Sequence, residues 1–324
     1  MRDWDGLADR AIAGEAPSRD EALEVVRAAD VELLPILNAA YRVRRHFHGN
    51  RVKVHILENA MSGMCPEDCG WCSQSKVAQG DVEKYRLISK EEMLEGARKA
   101  KEAGAYKYCL VTSTRGPNDQ QMDVICAAVK EIKAKVGIRV CTSLGILERE
   151  QAFRLKEAGV DRFNHNLETS ERHFPKVCSS HTYEDRVRTI QYVHEAGMES
   201  CCGGIVGMGE ADEDVVDLAF DLRRLGVTSI PVNFLNPRPG TPLAAAPVQD
   251  PKRCLRVLSM VRFVNPSRDI RCAGGREVNL RSLQPLLLYP CNSIFTNGYL
   301  TTGGNAESED FRMIRDLGFE PLAE

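Results

Sequence analysis

The stretch SKEEMLEGARKAKEAGAYKYCLVTST, residues 89–114, contains one complete helix-to-strand unit. Ser89 followed by Glu92 is a capping box, which satisfies the first free backbone N–H groups of a helix. Glu102-Ala103-Gly104 ends that helix, because glycine accepts the left-handed backbone found just past a helix C-terminus. The following run, Tyr106 to Thr114, is short, apolar and rich in β-formers, the mark of a strand. The same punctuation recurs at Glu157-Ala158-Gly159, Glu195-Ala196-Gly197, Leu225-Gly226 and Leu317-Gly318. The predicted strands are Val52 to Ala60, Tyr106 to Thr114, Ile138 to Gly145, Arg162 to Thr169, Glu199 to Gly207, Ser229 to Pro237, Asp269 to Arg276 and Ser293 to Thr302, with helical patterns between them.

Eight strands alternating with helices in 324 residues is the count for an α/β protein built as a closed (β/α)8 barrel of the TIM type. A doubly wound open sheet is the alternative. The barrel is predicted over residues 51–305, with an N-terminal helical extension over 1–50 and a C-terminal helix and tail over 306–324. In the extension, Asp20 to Leu34 carries apolar residues at helical spacing and Val43 to His48 is basic, which predicts one or two helices packed outside the barrel.

Chemistry is concentrated in the run Cys65-Pro66-Glu67-Asp68-Cys69-Gly70-Trp71-Cys72. Three thiolates can bind three irons of a cubane cluster and leave the fourth iron open to an outside molecule. A structural zinc ion wants four closed ligands, usually as paired C-x2-C units, and no second pair follows, although His55 is available as a fourth ligand. Free thiols that merely pack well are the remaining alternative.

Composition narrows the setting. The chain is 43% hydrophobic and 27% charged with a net charge of −3, so there is no basic excess to attract nucleic acid. The first residues are charged rather than apolar, and no stretch approaches a membrane span, which predicts a cytoplasmic protein with no membrane partner. In that reducing compartment the twelve cysteines point to metal binding or catalysis rather than to disulfides. Cys126 and Cys254 fall in amphipathic helical stretches and read as core. Cys109, Cys141, Cys201 and Arg271 all fall on predicted strands of different βα units, where alternate residues face the lumen, so they can converge on a second metal–sulfur group or pack independently.

From about Lys53 to Phe319 the sequence resembles the biotin synthases, a family of radical S-adenosylmethionine (SAM) enzymes. The blocks that carry the resemblance are Cys-Pro-Glu-Asp-Cys at 65–69, Tyr-Cys at 108–109, Asn-His-Asn-Leu-Glu-Thr at 164–169 and His-Thr-Tyr-Glu-Asp-Arg at 181–186. Gly-Gly-Ile-Val-Gly-Met-Gly-Glu at 203–210, Ile-Pro-Val-Asn-Phe-Leu at 230–235, Gly-Gly-Arg-Glu-Val-Asn-Leu-Arg at 274–281 and Asn-Ser-Ile-Phe at 292–295 continue it in order.

The resemblance implies a homodimeric sulfurtransferase that converts dethiobiotin to biotin, the last step of biotin biosynthesis. It implies a 4Fe-4S cluster on Cys65, Cys69 and Cys72 with SAM on the open iron, and a 2Fe-2S cluster on Cys109, Cys141, Cys201 and Arg271 that donates sulfur. For SAM it points to Trp71, Asn166, Glu168, Arg186, Gly203, Gly204, Ile205 and Gly207, the glycines removing side chains where the backbone passes close to adenosine. For dethiobiotin it points to Asn164, Asn166 and Asn233 at the ureido end and to Thr301 and Thr302 at the carboxylate tail. The implied partners are a one-electron donor such as flavodoxin or ferredoxin and the iron-sulfur assembly machinery.

Two departures affect this picture. Glu168 stands where some relatives carry Asp, and Cys202 and Cys272 adjoin the implied ligands Cys201 and Arg271. Adjacent strand residues face opposite ways, so a register shift of one residue exchanges Arg271 for Cys272 and makes the deeper site all-thiolate. Cys178 and Cys291 have no assigned role. A non-catalytic metal-binding barrel and a related radical SAM maturase or methylornithine-type mutase are the other functional readings.

Overall fold

The computed structural model describes residues 2–296, 300 and 307–322. The barrel strands are β1 (Arg51–Met61), β2 (Lys107–Thr112), β3 (Arg139–Ser143), β4 (Arg162–Asn164), β5 (Glu199–Cys201), β6 (Gly204–Val206), β7 (Ser229–Phe234), β8 (Asp269–Cys272) and β9 (Ser293–Phe295), all paired in parallel. β5 and β6 are two halves of one barrel strand, interrupted at Cys202–Gly203. β1 pairs with β2 on one side and β9 on the other, so the sheet closes. This is the predicted (β/α)8 barrel of the TIM type, and the open sheet is excluded.

Helices α1 (Trp4–Ile12), α2 (Arg19–Arg27) and α3 (Leu33–His48) precede the barrel. Helices α4 (Lys90–Glu102), α5 (Asp119–Lys135), α6 (Arg149–Ala158), α7 (Tyr183–Glu195), α8 (Asp212–Arg224) and α9 (Pro251–Val264) alternate with its strands, and α10 (Arg276–Leu280) and α11 (Glu307–Asp316) follow. The capping box of α4 forms as read: Ser89 N donates to Glu92 Oε2 at 2.8 Å and Glu92 N to Ser89 Oγ at 3.2 Å. The N-terminal extension has three helices rather than one or two. The helical run from Asp20 breaks after Arg27 and resumes at Leu33, and the basic Val43–His48 segment is the end of α3. Val25, Val26, Ile36, Leu37 and Val43 are buried, because an amphipathic helix is stable only where its apolar stripe leaves water.

Two strand boundaries differ from the sequence reading. Residues 273–276 leave the last predicted run and Arg276 begins α10, where its guanidinium is buried against Asp310 at 2.6 Å. A further strand, β10 (Glu320–Leu322), adds to the outer start of β1. Three residues carry no readable period, so this strand is set by its partner rather than by its own pattern. The predicted boundary at 305 lies outside the described residues.

The N-terminal mouth of the barrel is closed by charge. Lys53 Nζ and Arg162 Nη2 reach Asp269 at 2.8 and 3.2 Å, while Arg162 and Lys107 reach Glu199 at 2.7 and 3.2 Å. Burial raises the Asp269 carboxyl, but the Lys53 and Arg162 charges outweigh it and hold it well below the usual carboxylate range. A carboxyl held low contributes stability above the ordinary carboxylate pKa of about 4 and loses it as pH falls further. Asp269→Asn, which leaves two buried cations short of a partner, costs about 3–5 kcal/mol in urea unfolding at pH 7. The deficit shrinks as the native protein is acidified below about pH 4.

Candidate active site

The opposite, C-terminal mouth opens into a cavity of about 300 Å³, the end at which barrel enzymes carry their chemistry. Cys65, Cys69 and Cys72 line it at the loop after β1, and Cys109, Cys141 and Arg271 line it from the strands. Thr301 and Thr302 lie outside the described residues.

The cysteine loop is bolted down by the two acids inside its motif. Glu67 accepts from Arg115 Nη1 at 3.0 Å and Ser180 Oγ at 2.6 Å, and its Oε2 meets His181 Nδ1. Asp68 accepts the backbone N–H groups of Ser179 and Ser180, each at 3.0 Å. Gly70 N adds a bond to Val177 O at 2.9 Å. The loop is therefore fixed against the segment that leads into α7.

Burial raises the Cys65 thiol and pushes Cys72 up to about 11, so neither is a ready thiolate without a cation beside it. Cys69 rises because it shares a hydrogen bond with Cys178, whose sulfur lies 3.7 Å away, and Cys178 falls correspondingly. Among the described residues, the Cys, His and carboxylate group whose ligand atoms all lie within 4.8 Å is Cys69, Cys178 and His181, not the loop triplet. The triplet is thus too widely spread to close on one zinc ion, as thiolates serving three separate irons must be. His55 does not join it; that ring is fully buried against Arg271.

In the lumen, strand register sets Cys109 directly beside Cys141, and Cys201 between Asn164 and Ser229. Hydrogen bonding between their thiols raises Cys141 and lowers Cys109. Arg271 is 2% exposed and donates to Ser293 Oγ at 3.0 Å, Ser229 Oγ at 3.2 Å, His55 Nε2 at 3.3 Å and Cys201 Sγ at 3.6 Å. Burial and the Arg271 charge hold His55 well below its usual range, so it stays neutral. None of these partners is a carboxylate, and a buried cation so placed calls for anionic sulfur nearby. Cys202 and Cys272 belong instead to the apolar core that includes Cys254, Cys291, Val257 and Leu258. The register therefore turns Arg271, and not Cys272, toward the other three cysteines.

The remaining predicted residues divide. Trp71, Asn164, Asn166, Glu168, Arg186, Ile205 and Asn233 line the cavity. Arg186 Nη1 donates to Asn166 O at 2.7 Å, lies 3.6 Å from Glu168 Oε1 and sits over the Trp71 ring at 5.9 Å. Burial raises the Glu168 carboxyl against the pull of Arg186. Glu168 also has φ +71°, a left-handed conformation that non-glycine residues adopt at a cost of about 1–3 kcal/mol and that clusters at functional sites. Asn164 Nδ2 reaches Ser143 Oγ at 3.2 Å, and Asn233 bridges Gly204 O and Gly274 N at 3.1 and 2.9 Å.

Gly203, Gly204 and Gly207 do not line the cavity. A Cβ on Gly203 would stand 1.9 Å from Pro231 O, and one on Gly204 2.5 Å from Glu168 O, so these glycines admit neighbouring backbone. Gly203→Ala must push β7 aside and lowers stability by about 3 kcal/mol, read as a reduced denaturation midpoint. Sequence reading missed Ser229, Ser293 and His55 as partners of Arg271, and His181 and Cys178 as neighbours of Cys69. Only the Cys-Ser-Ser-His spacing at 178–181 carried a signal of the latter pair.

Comparison with known proteins fixes the lineage. The chain matches the Radical SAM superfamily over residues 60–222 and the Biotin and Thiamin Synthesis associated domain over 231–320. It is 53% identical to the biotin synthase of Salinibacter ruber over 99% of this chain and 90% of that one. It is 52% identical to the biotin synthase of Geobacillus kaustophilus, over 99% and 96%, and 49% identical to that of Bacillus subtilis, also over 99% and 96%. The chain belongs to the biotin synthase family.

In this radical SAM family a 4Fe-4S cluster and SAM are the implied cofactors. The spread loop triplet beside an open cavity fits the cluster, and Cys65, Cys69 and Cys72 are the residues that can hold it. Methylornithine synthase (PylB) superposes with a TM-score of 0.85 at 19% identity, over 98% of this chain and 97% of that one. The hydrogenase maturase HydG superposes with a TM-score of 0.83 at 16% identity, over 98% and 74%. At these identities the likeness is one of fold. No helix among the described residues is long and apolar enough to cross a membrane.

Proposed function

We propose that the protein is a biotin synthase, a sulfurtransferase that converts dethiobiotin to biotin. The observation that carries this reading is a single cavity lined at its loop by Cys65, Cys69 and Cys72 and in the lumen by Cys109, Cys141 and Arg271. A 4Fe-4S cluster on the loop triplet supplies an open iron for SAM and the electron that cleaves it, giving a 5′-deoxyadenosyl radical able to take hydrogen from an unactivated carbon.

The residues of the chain bind and orient. Arg186 supplies a guanidinium fork for the SAM carboxylate. Asn166 and Glu168 accept the ribose hydroxyls, Trp71 covers the adenine side, and the backbone at Gly203, Gly204, Ile205 and Gly207 forms the adjoining wall. Asn164 and Asn233 face the ureido end of dethiobiotin, and Thr301 and Thr302 its carboxylate. Cys109, Cys141, Cys201 and Arg271 hold a 2Fe-2S cluster that is consumed as the sulfur-donating substrate. The Arg271 charge, buried without a carboxylate partner, offsets the negative charge of the three thiolates.

The proposed setting is the cytoplasm, with a homodimer reduced by flavodoxin or ferredoxin and the deeper cluster rebuilt by iron-sulfur assembly proteins. The test is anaerobic purification, reconstitution with iron and sulfide, and an assay of 5′-deoxyadenosine and biotin with and without dethiobiotin. Dethiobiotin-dependent release of both products is the expected result; cleavage without biotin points to a related radical SAM reaction.

A further inference from the structure

Cys178 and His181 take no part in the proposed function as ligands, yet they stand against Cys69 with the spacing of a metal site. A tetrahedral ion bound at about 2.3 Å to sulfur and about 2.0–2.1 Å to nitrogen holds neighbouring ligand atoms about 3.5–3.8 Å apart. Cys69 Sγ and Cys178 Sγ are 3.7 Å apart, and Cys178 Sγ lies 3.5 Å from His181 Nδ1 and 3.7 Å from Nε2. All three residues are buried, and their ligand atoms lie within 4.8 Å of one another.

The outer partners agree with this arrangement. The Glu67 carboxylate meets His181 Nδ1, the carboxylate–histidine pairing that fixes the tautomer and leaves Nε2 free to coordinate. In the metal-free chain that lone pair accepts Arg186 Nε at 3.0 Å, so a cation already occupies the position. The segment carrying Cys178 and His181 is also the one to which Glu67 and Asp68 fasten the cysteine loop, so the donors are held in place before any ion arrives.

We infer that the cluster-free chain holds one thiophilic divalent cation, such as zinc or ferrous iron, on Cys69, Cys178 and His181. Cys69 then belongs to two alternative sites: this mononuclear one, and the wider triplet with Cys65 and Cys72 that takes a cluster.

Cobalt(II) titration of the iron-free full-length chain under argon tests the inference, read by the thiolate-to-cobalt absorption band. The expected result is about one equivalent bound at a tetrahedral site. Cys178→Ser and Cys69→Ser should each lower the affinity more than about tenfold, since altering even an outer partner costs that much. Cys65→Ser and Cys72→Ser should leave it unchanged, and both also serve as folding controls through their thermal melts. Loss of the band in Cys65→Ser and Cys72→Ser with retention in Cys178→Ser would assign the ion to the loop triplet and overturn the inference, as would the absence of any band. Neither outcome bears on biotin formation by the cluster-loaded enzyme, which is measured separately.

Discussion

Cys69→Ala lowers SAM cleavage to background, with no 5′-deoxyadenosine detected after anaerobic reconstitution, and removes the iron assigned to the loop. The effect is all or nothing for a physical reason. Cys69 is the middle thiol of a loop fixed at Glu67, Asp68 and Gly70, so neither neighbour can move to replace it. Cys178→Ala is the control, because its sulfur lies only 3.7 Å from Cys69 yet is not assigned to the cluster. It should keep cleavage near the level of the unaltered protein. Equal loss in both variants would mean that Cys178 ligates in the holoenzyme and that the loop assignment is wrong.

Cys141→Ala separates two activities that the unaltered protein couples. It should still form 5′-deoxyadenosine, because the loop triplet and the residues around Arg186 are untouched, while biotin falls to background because the sulfur donor is no longer held. Cys141 pairs directly with Cys109 across β2 and β3, with Arg271 facing them from β8, so removing one thiol leaves the buried guanidinium with less sulfur to balance it. Iron and sulfide analysis should show loss confined to the deeper site. If cleavage and biotin formation fall together, the two sets of cysteines act as a single site and the division proposed here is wrong.

The fold and the identity of the two cysteine groups were legible in the chain because each is encoded locally. A capping box at Ser89 and glycine stops such as Gly159 and Gly197 mark element ends within a few residues, and their alternation counts out a barrel. The C-x3-C-x2-C loop is equally local. Local signals are silent about β10, whose three residues are a strand only because β1 offers an edge. They also misplace Arg276, which starts α10 because its guanidinium is satisfied by Asp310, a residue 34 positions further along.

The sequence by itself determined the barrel, the cysteine loop and the strand positions of Cys109, Cys141, Cys201 and Arg271, since periodicity and motif spacing are properties of neighbouring residues. Tertiary structure decided the rest. The register of β8 turns Arg271 into the lumen and Cys272 into the apolar core, Gly203 yields to the carbonyl of Pro231, and chain folding places Cys178 and His181 beside a cysteine more than a hundred residues earlier. Such contacts depend on which groups meet across strands and loops once apolar surface is buried and backbone hydrogen bonds are satisfied, and no linear pattern records them.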